Sequence, residues 1–319
     1  MTNPVLAIHG GAGGDGPWRG MSSLDPDRIR CMEDVLNHVS QHLLDGMTAA
    51  DAVTIAVEML EDNPLFNAGR GSVLGAKGDI SMDASIMQGS DSTAGAVMGV
   101  RQIRHPIRVA YHLMKNQWPV ILNGDAADVF GIDNGVEGVG QEWLKTELRE
   151  AQWQKWVDEY ANVGATDEND AVLDHDLDGR VATEFSDENE GMGTVGAVAL
   201  DNHGTLATAT STGGMTGKPD GRIGDTPIIG AGSWADKRIA ISCTGVGEAY
   251  IRIAAAHELA VRMREDSVEL ATEADAVLDM VAPLGGRGGL IAVTSDGDFC
   301  LPFQTSVMYR GVWTKNDSW

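Results

Sequence analysis

Apolar and polar positions recur along this chain with two different periods, and the periods locate its elements. An apolar run at residues 5–9 predicts a strand that leads into the glycines of His9-Gly-Gly-Ala-Gly-Gly14. A helix is expected over about 25–44. Apolar positions at Ala49, Ala52, Val53, Ala56, Val57 and Leu60 predict a second over 48–61, with Thr48 as N-cap and Asp51 three residues on. Asn63-Pro64 stops it, because the residue before proline is driven out of helical conformation. Residues 65–89, with Gly69, Gly71, Gly75 and Gly78, read as loop. Beyond them come a buried strand at 93–100, a helix at 106–116 opened by proline, a short strand at 119–122 and a helical segment over 141–160.

The composition then changes. Residues 167–190 hold ten acidic side chains and one basic one, Arg180, which predicts a solvated, mobile linker over about 161–193. It contains Asp174-His-Asp176-Leu-Asp178-Gly179, the opening of a calcium loop, but position twelve is Phe185 rather than glutamate. After the linker, apolar runs at 194–200 and 205–211 joined by Asp-Asn-His-Gly predict a hairpin. Helices at 247–264 and 267–280 and strands at 289–295 and 299–303 follow. Hairpins need an antiparallel sheet, so a layered α/β fold suits this order better than a parallel doubly wound one.

At 319 residues and 43% hydrophobic composition the chain can build a sizeable core. It has no apolar run long enough for a membrane span. With no basic, then apolar, leader at the start, the expected location is the cytoplasm. Three widely spaced cysteines, Cys31, Cys243 and Cys300, form neither a disulfide framework nor a zinc pattern. The net charge of −24 argues against nucleic acid and anionic membranes as partners. Such an acidic surface, poor in lysine, suits concentrated salt, where self-repulsion is screened, and a salt-loving host is the expectation.

Two familiar patterns fail on context. Gly11-Ala-Gly13-Gly-Asp-Gly16 fits GxGxxG, but Pro17 and Trp18 follow where a helix should open; a tight turn is the better reading. His38 and His42 have ligand spacing on a helix but lack the glutamate of a zinc protease, so they read as surface histidines.

Chemistry concentrates in the second half. Thr194 opens a strand directly after the acidic segment, and Thr210-Ser-Thr212-Gly-Gly ends the partner strand. Gly221-Arg222-Ile-Gly224-Asp225 and Cys243-Thr244-Gly245-Val-Gly247 are glycine-rich loops carrying polar side chains. Arginine can hold a carboxylate and aspartate an ammonium, so together they suit an α-amino acid head group. Hydroxyl and amide donors remain for an oxyanion.

These blocks, with His9-Gly-Gly-Ala-Gly, Asn63-Pro-Leu-Phe-Asn67-Ala-Gly, Met82-Asp83-Ala-Ser-Ile-Met87 and Met308-Tyr-Arg-Gly311, resemble the plant-type asparaginase / isoaspartyl peptidase family of N-terminal-nucleophile hydrolases. The resemblance spans almost the whole chain outside the linker. It implies one domain over 1–319, a four-layer αββα sandwich made as a precursor. Cleavage between Gly193 and Thr194 would give an α chain, 1–193, and a β chain, 194–319. Gly193 offers no side chain to obstruct attack by the Thr194 hydroxyl, so an N→O acyl shift can free the new terminus. A free α-amine, with an ordinary pKa of about 7.7–8.0, can then accept the hydroxyl proton.

By the same matching, Thr212 orients the nucleophile, and Thr244 with the Gly245 amide forms the oxyanion hole. Arg222 binds the α-carboxylate, Asp225 the α-amino group with Gly247 beside it, and Asn67 supports the site. The implied substrates are L-asparagine and β-aspartyl dipeptides, with no cofactor beyond a structural sodium ion. The matching sodium carbonyls belong to Leu60, Glu61, Asn63, Phe66, Ala68 and Arg70. The implied assembly is a homodimer of αβ units. Val246 and Gln304 stand where the family often has threonine and asparagine, which bears on substrate preference. Two other readings stay open at this point: Cys243 as the nucleophile of another enzyme class, and a non-catalytic acidic, calcium-binding protein.

Overall fold

The computed structural model describes residues 2–13, 25–160, 193–265, 267–305 and 307–315. The acidic segment with its calcium-like pattern, and Gly14 to Gly16 of the GxGxxG match, lie outside the described residues. The architecture is mixed α/β. Strands β1 (Val5–Gly13), β2 (Met82–Gln88), β3 (Ala94–Val100), β4 (Ile121–Asn123), β5 (Val195–Leu200), β6 (Leu206–Thr212) and β11 (Val307–Thr314) form one sheet in the order β11-β1-β5-β6-β2-β3-β4. A second sheet has the order β10-β9-β8-β7, from Phe299–Cys300, Gly288–Thr294, Ile239–Gly245 and Ser233–Ala235. Every pairing is antiparallel except β3 with β4.

Both faces of the central strands are buried, which explains their near-continuous apolar sequences. Leu6 and Ile8 of β1 pack with α1 (Pro26–Leu44), α2 (Ala49–Asp62) and α3 (Pro106–Asn116). Val5 and Ala7 point the other way, into a cluster with Ala240, Ile291 and Val293 of the second sheet. That sheet turns Ile241 and Cys243 toward α7 (Gly247–Ile253), α8 (Ala255–Arg262) and α9 (Leu270–Val281). Strand period two thus feeds three apolar clusters from two sheets. Among the described residues no helix is long and apolar enough to cross a membrane.

Local chemistry sets the helix starts. Asp25 caps α1 by accepting from the Asp27 amide at 2.9 Å, and Pro26 takes the first helical position. The Thr48 hydroxyl accepts the Asp51 amide at 3.2 Å and donates to the Asp51 carboxylate at 2.7 Å, closing the cap of α2. Buried Glu61, near the end of α2, accepts from the Ile107 amide at 3.1 Å and so caps α3 from a neighbouring helix.

Several elements depart from the sequence reading. The 65–89 loop contains β2, a central strand whose Asp83 and Ser85 blur its apolar signal. The 141–160 helix is two, α5 (Gln141–Leu144) and α6 (Glu147–Tyr160). The helix expected at 247–264 breaks at Ala254, which adopts the left-handed conformation (φ 51°). Helix α4 (Gly124–Asp133) has few buried positions and no clear apolar stripe, while β7, β8 and β11 need partners from distant segments to exist.

Candidate active site

Strand register builds the site. In the β5–β6 hairpin Val195 opposes Ser211, so one step further Thr194 faces Thr212. The Thr194 hydroxyl donates to Thr212 Oγ1 at 3.0 Å, and Thr212 Oγ1 also accepts the Gly214 amide at 2.9 Å. Strand β8 ends beside them: Thr244 is buried and its hydroxyl accepts the Ala12 amide of β1 at 3.3 Å. Gly245, at φ 145°, lies where a Cβ would stand 2.2 Å from the Arg287 carbonyl. Its bare backbone is what lets β8 and β9 meet there.

A single cleft is lined by Ala12, Asn67, Gly193, Thr194, Thr212, Met215, Arg222, Asp225, Thr244 and Gly245. The sequence-matched nucleophile, oxyanion and head-group residues therefore line one cleft, although they come from separate segments between Thr194 and Gly245. Asn67 joins them by donating to the Gly214 carbonyl at 2.7 Å while accepting from the Val73 amide at 3.0 Å. Gly247 packs on Asp225 so closely that a Cβ would sit 2.8 Å from its carboxylate.

The charges are unevenly satisfied. Arg222 makes a two-point ion pair with Glu248, Nε to Oε1 at 2.8 Å and Nη2 to Oε2 at 2.7 Å. Burial pushes the Glu248 carboxyl up, but the Arg222 bonds outweigh it and hold the group below its ordinary value. Asp225 is almost fully buried and its Oδ2 has no hydrogen-bond partner. Burial pushes its carboxyl up to about 7, with Arg222 opposing the shift. Chemically, a buried, partnerless carboxylate oxygen beside an arginine can accept a cation that arrives with its own anion.

Some neighbours of this cluster have no role assigned to them by the sequence reading. His9, fully buried, bonds Ser242 Oγ at 2.8 Å, which in turn contacts Thr210 Oγ1 at 2.8 Å. Burial lowers the imidazole to about 3, against a contribution from the Thr194 backbone, so the ring is neutral. Glu248 and Lys218 lie inside the motif blocks but have no role in the sequence reading. Each is a charged residue whose partner is fixed only by folding.

The other candidates separate from this cluster. Cys243 is fully buried in the helix-covered core, and burial raises its thiol well above the ordinary value, which removes the thiolate a nucleophile needs. His38 and His42 form an exposed edge-to-face pair, ring centroids 4.9 Å apart. Among the described residues no group of three or more His, Cys, Asp or Glu side chains is placed to hold a metal ion.

Comparison with known proteins gives consistent matches. The asparaginase family profile matches residues 2–319. The chain is similar to the isoaspartyl peptidase of Escherichia coli K12, 41% identical over 97% of this chain and 92% of the relative. It is similar to that of Salmonella typhimurium LT2 at 39%, covering 97% and 95%. An isoaspartyl peptidase/L-asparaginase of Xenopus laevis is 38% identical over 96% of this chain and 90% of its own length.

Proposed function

The chain belongs to the asparaginase family, and from that premise we propose that it is an isoaspartyl peptidase / L-asparaginase that cuts itself before Thr194. The observation that carries this reading is the Thr194–Thr212 hydroxyl contact at 3.0 Å, at the edge of a cleft holding Arg222 and Asp225. It supports a threonine nucleophile whose partner hydroxyl fixes its rotamer. Within the family's fold we read the two sheets and their outer helices as a four-layer αββα sandwich.

In the precursor the Thr194 hydroxyl attacks the Gly193 carbonyl, the peptide becomes an ester, and water releases the α chain. In the mature enzyme the freed Thr194 amine takes the proton from its own hydroxyl. The oxygen adds to the substrate's side-chain amide carbon, and the oxyanion is held by the Thr244 hydroxyl and the Gly245 amide. The C–N bond breaks as the amine returns the proton to the leaving nitrogen. Water then hydrolyses the aspartyl ester and regenerates Thr194. Arg222 and Asp225 grip the α-carboxylate and α-ammonium, groups shared by L-asparagine and β-aspartyl dipeptides.

A sodium ion in the loop after α2 fits the backbone there. A Cβ on Gly69 would lie 2.4 Å from the Glu61 carbonyl, and one on Gly71 2.8 Å from the Phe66 carbonyl, so no side chain crowds the backbone oxygens there. Carbonyls of Leu60, Glu61, Asn63, Phe66, Ala68 and Arg70 would suit a hard monovalent cation, which would brace the loop that carries Asn67. The assembly we assign is a dimer of αβ units.

Intact mass spectrometry after incubation tests the reading. Wild type should give fragments 1–193 and 194–319, and Thr194→Ala should stay whole and inactive toward L-asparagine and β-aspartyl-leucine. An active, unbroken wild-type chain would refute it.

A further inference from the structure

The turn Thr212-Gly213-Gly214 directs the hydroxyl that faces Thr194, and each of its glycine backbone groups has a partner. The Gly213 amide donates to the Asn67 carbonyl at 3.0 Å, and the Gly214 amide donates to Thr212 Oγ1 at 2.9 Å. The Gly214 carbonyl accepts from Asn67 at 2.7 Å. The Gly213 carbonyl is held by Lys218, whose Nζ donates at 2.8 Å and makes a second bond to the Ser81 carbonyl at 2.7 Å. Three of these four contacts use an uncharged partner: a peptide carbonyl, a hydroxyl and a side-chain amide. The fourth uses a buried ammonium.

Lys218 is only 3% exposed. Its side chain folds back beneath the glycines, so that a Cβ on Gly214 would lie 2.9 Å from Nζ. Its backbone is pinned as well: the Lys218 carbonyl accepts the Ala76 amide at 2.9 Å and its amide donates to the Met215 carbonyl at 3.1 Å. Burial lowers the ammonium to about 8, with the charge of Asp83 opposing, so it remains mostly charged near neutrality. Asp83 stands opposite Thr212 in the β2–β6 register, and its Oδ1 is taken by the Gly99 amide at 2.8 Å. An apolar side chain at 218 would avoid the desolvation cost of a buried charge. What the ammonium adds is a stiff, charge-assisted hold on one carbonyl, next to a catalytic hydroxyl.

Resting on the reading of Thr194 as nucleophile, we infer that Lys218 is a positioning residue for both hydrolysis and self-cleavage: it fixes the Gly213 carbonyl and thereby aims Thr212 Oγ1 at Thr194. It touches neither substrate nor the reacting atoms. Its effect passes through one peptide group, and a displacement of about 1 Å at a catalytic group costs about 100-fold in rate.

The test is a double-mutant cycle on full-length protein, with Lys218→Met, Thr212→Ala and the pair. Lys218→Met should lower kcat about 100-fold with KM for β-aspartyl-leucine little changed, because Arg222 and Asp225 are untouched. In the Thr212→Ala background the same substitution should change kcat less than about 3-fold, since the group it aims is gone. Lys218→Gln, which keeps a donor for the Gly213 carbonyl, should recover part of the loss. If Lys218→Met blocks maturation, the rate of chain cleavage is read by mass spectrometry through the same cycle. Equal losses in both backgrounds, or a wild-type kcat in Lys218→Met, would overturn the inference. A purely structural lysine would instead lower thermal stability and active fraction without this dependence on Thr212. Wild-type protein that neither cleaves nor hydrolyses would sink the functional reading itself, a separate outcome.

Discussion

Arg222 does not wait in the cleft as a free cation: Glu248 holds it edge-on, with two bonds of 2.8 and 2.7 Å. The arrangement fixes the plane of the guanidinium, so in its proposed role as carboxylate clamp Arg222 would lose less side-chain entropy on binding. Glu248→Gln should therefore weaken substrate binding more than chemistry. Removing one charged partner of a half-buried pair costs about 1.5–3 kcal/mol, which corresponds to a KM increase of roughly 10- to 100-fold with kcat much less affected. Steady-state kinetics with L-asparagine would check this; a fall in kcat alone contradicts it.

Asp225 sets a pH dependence. Its carboxyl is pushed up to about 7 by burial, and only the carboxylate can hold an α-ammonium. In the free enzyme kcat/KM should fall as pH drops below about 7 because Asp225 takes up a proton. The stability effect has the opposite sign. The folded state binds this proton more tightly than the unfolded chain, whose ordinary value is 3.8. The contribution is thus fully present below about pH 4 and lost as pH rises through 7. Asp225→Asn should gain stability relative to wild type between pH 4 and 8 while losing activity. Urea melts across that range give the comparison.

Gly11 lies flat against the residue before the nucleophile. At φ 103° it is in a region that disfavours side chains, and a Cβ there would be 2.5 Å from the Gly193 nitrogen. Gly11→Ala should displace Gly193 and slow self-cleavage at least tenfold, on the order expected for sub-ångström misplacement of a reacting carbonyl. A time course of fragment formation on a denaturing gel measures it, and cleavage at the wild-type rate would rule out the contact as a determinant of maturation.

The net charge of −24 predicts stabilisation by salt. Raising ionic strength from 0.1 to 1 M shortens the screening length from about 10 to about 3 Å and removes most repulsion between exposed carboxylates. The melting temperature should climb with sodium chloride over that range. A flat or falling curve would mean that the acidic surface is not an adaptation to salt.

Residues whose chemistry lies in the local string were legible without a structure. Helices α2 and α3 were found because capping and the apolar stripe are local properties, written within a dozen residues of Thr48 and Pro106. The glycine-flanked Thr194, Arg222, Asp225 and Thr244, which line one cleft, stand out in the sequence because their blocks carry unusual residue types in a fixed order. Strand β2 was not, since Met82–Gln88 becomes a strand only between β6 and β3.

Folding alone decided which charges are buried and what they hold. The pairing of Glu248 with Arg222, of the Glu61 carboxylate with the start of α3, and of Lys218 with the Gly213 carbonyl has no counterpart in the sequence reading. Their burial arises where segments distant along the chain close over one another. No local pattern records a desolvation cost that is set by whichever segments pack over the side chain after folding.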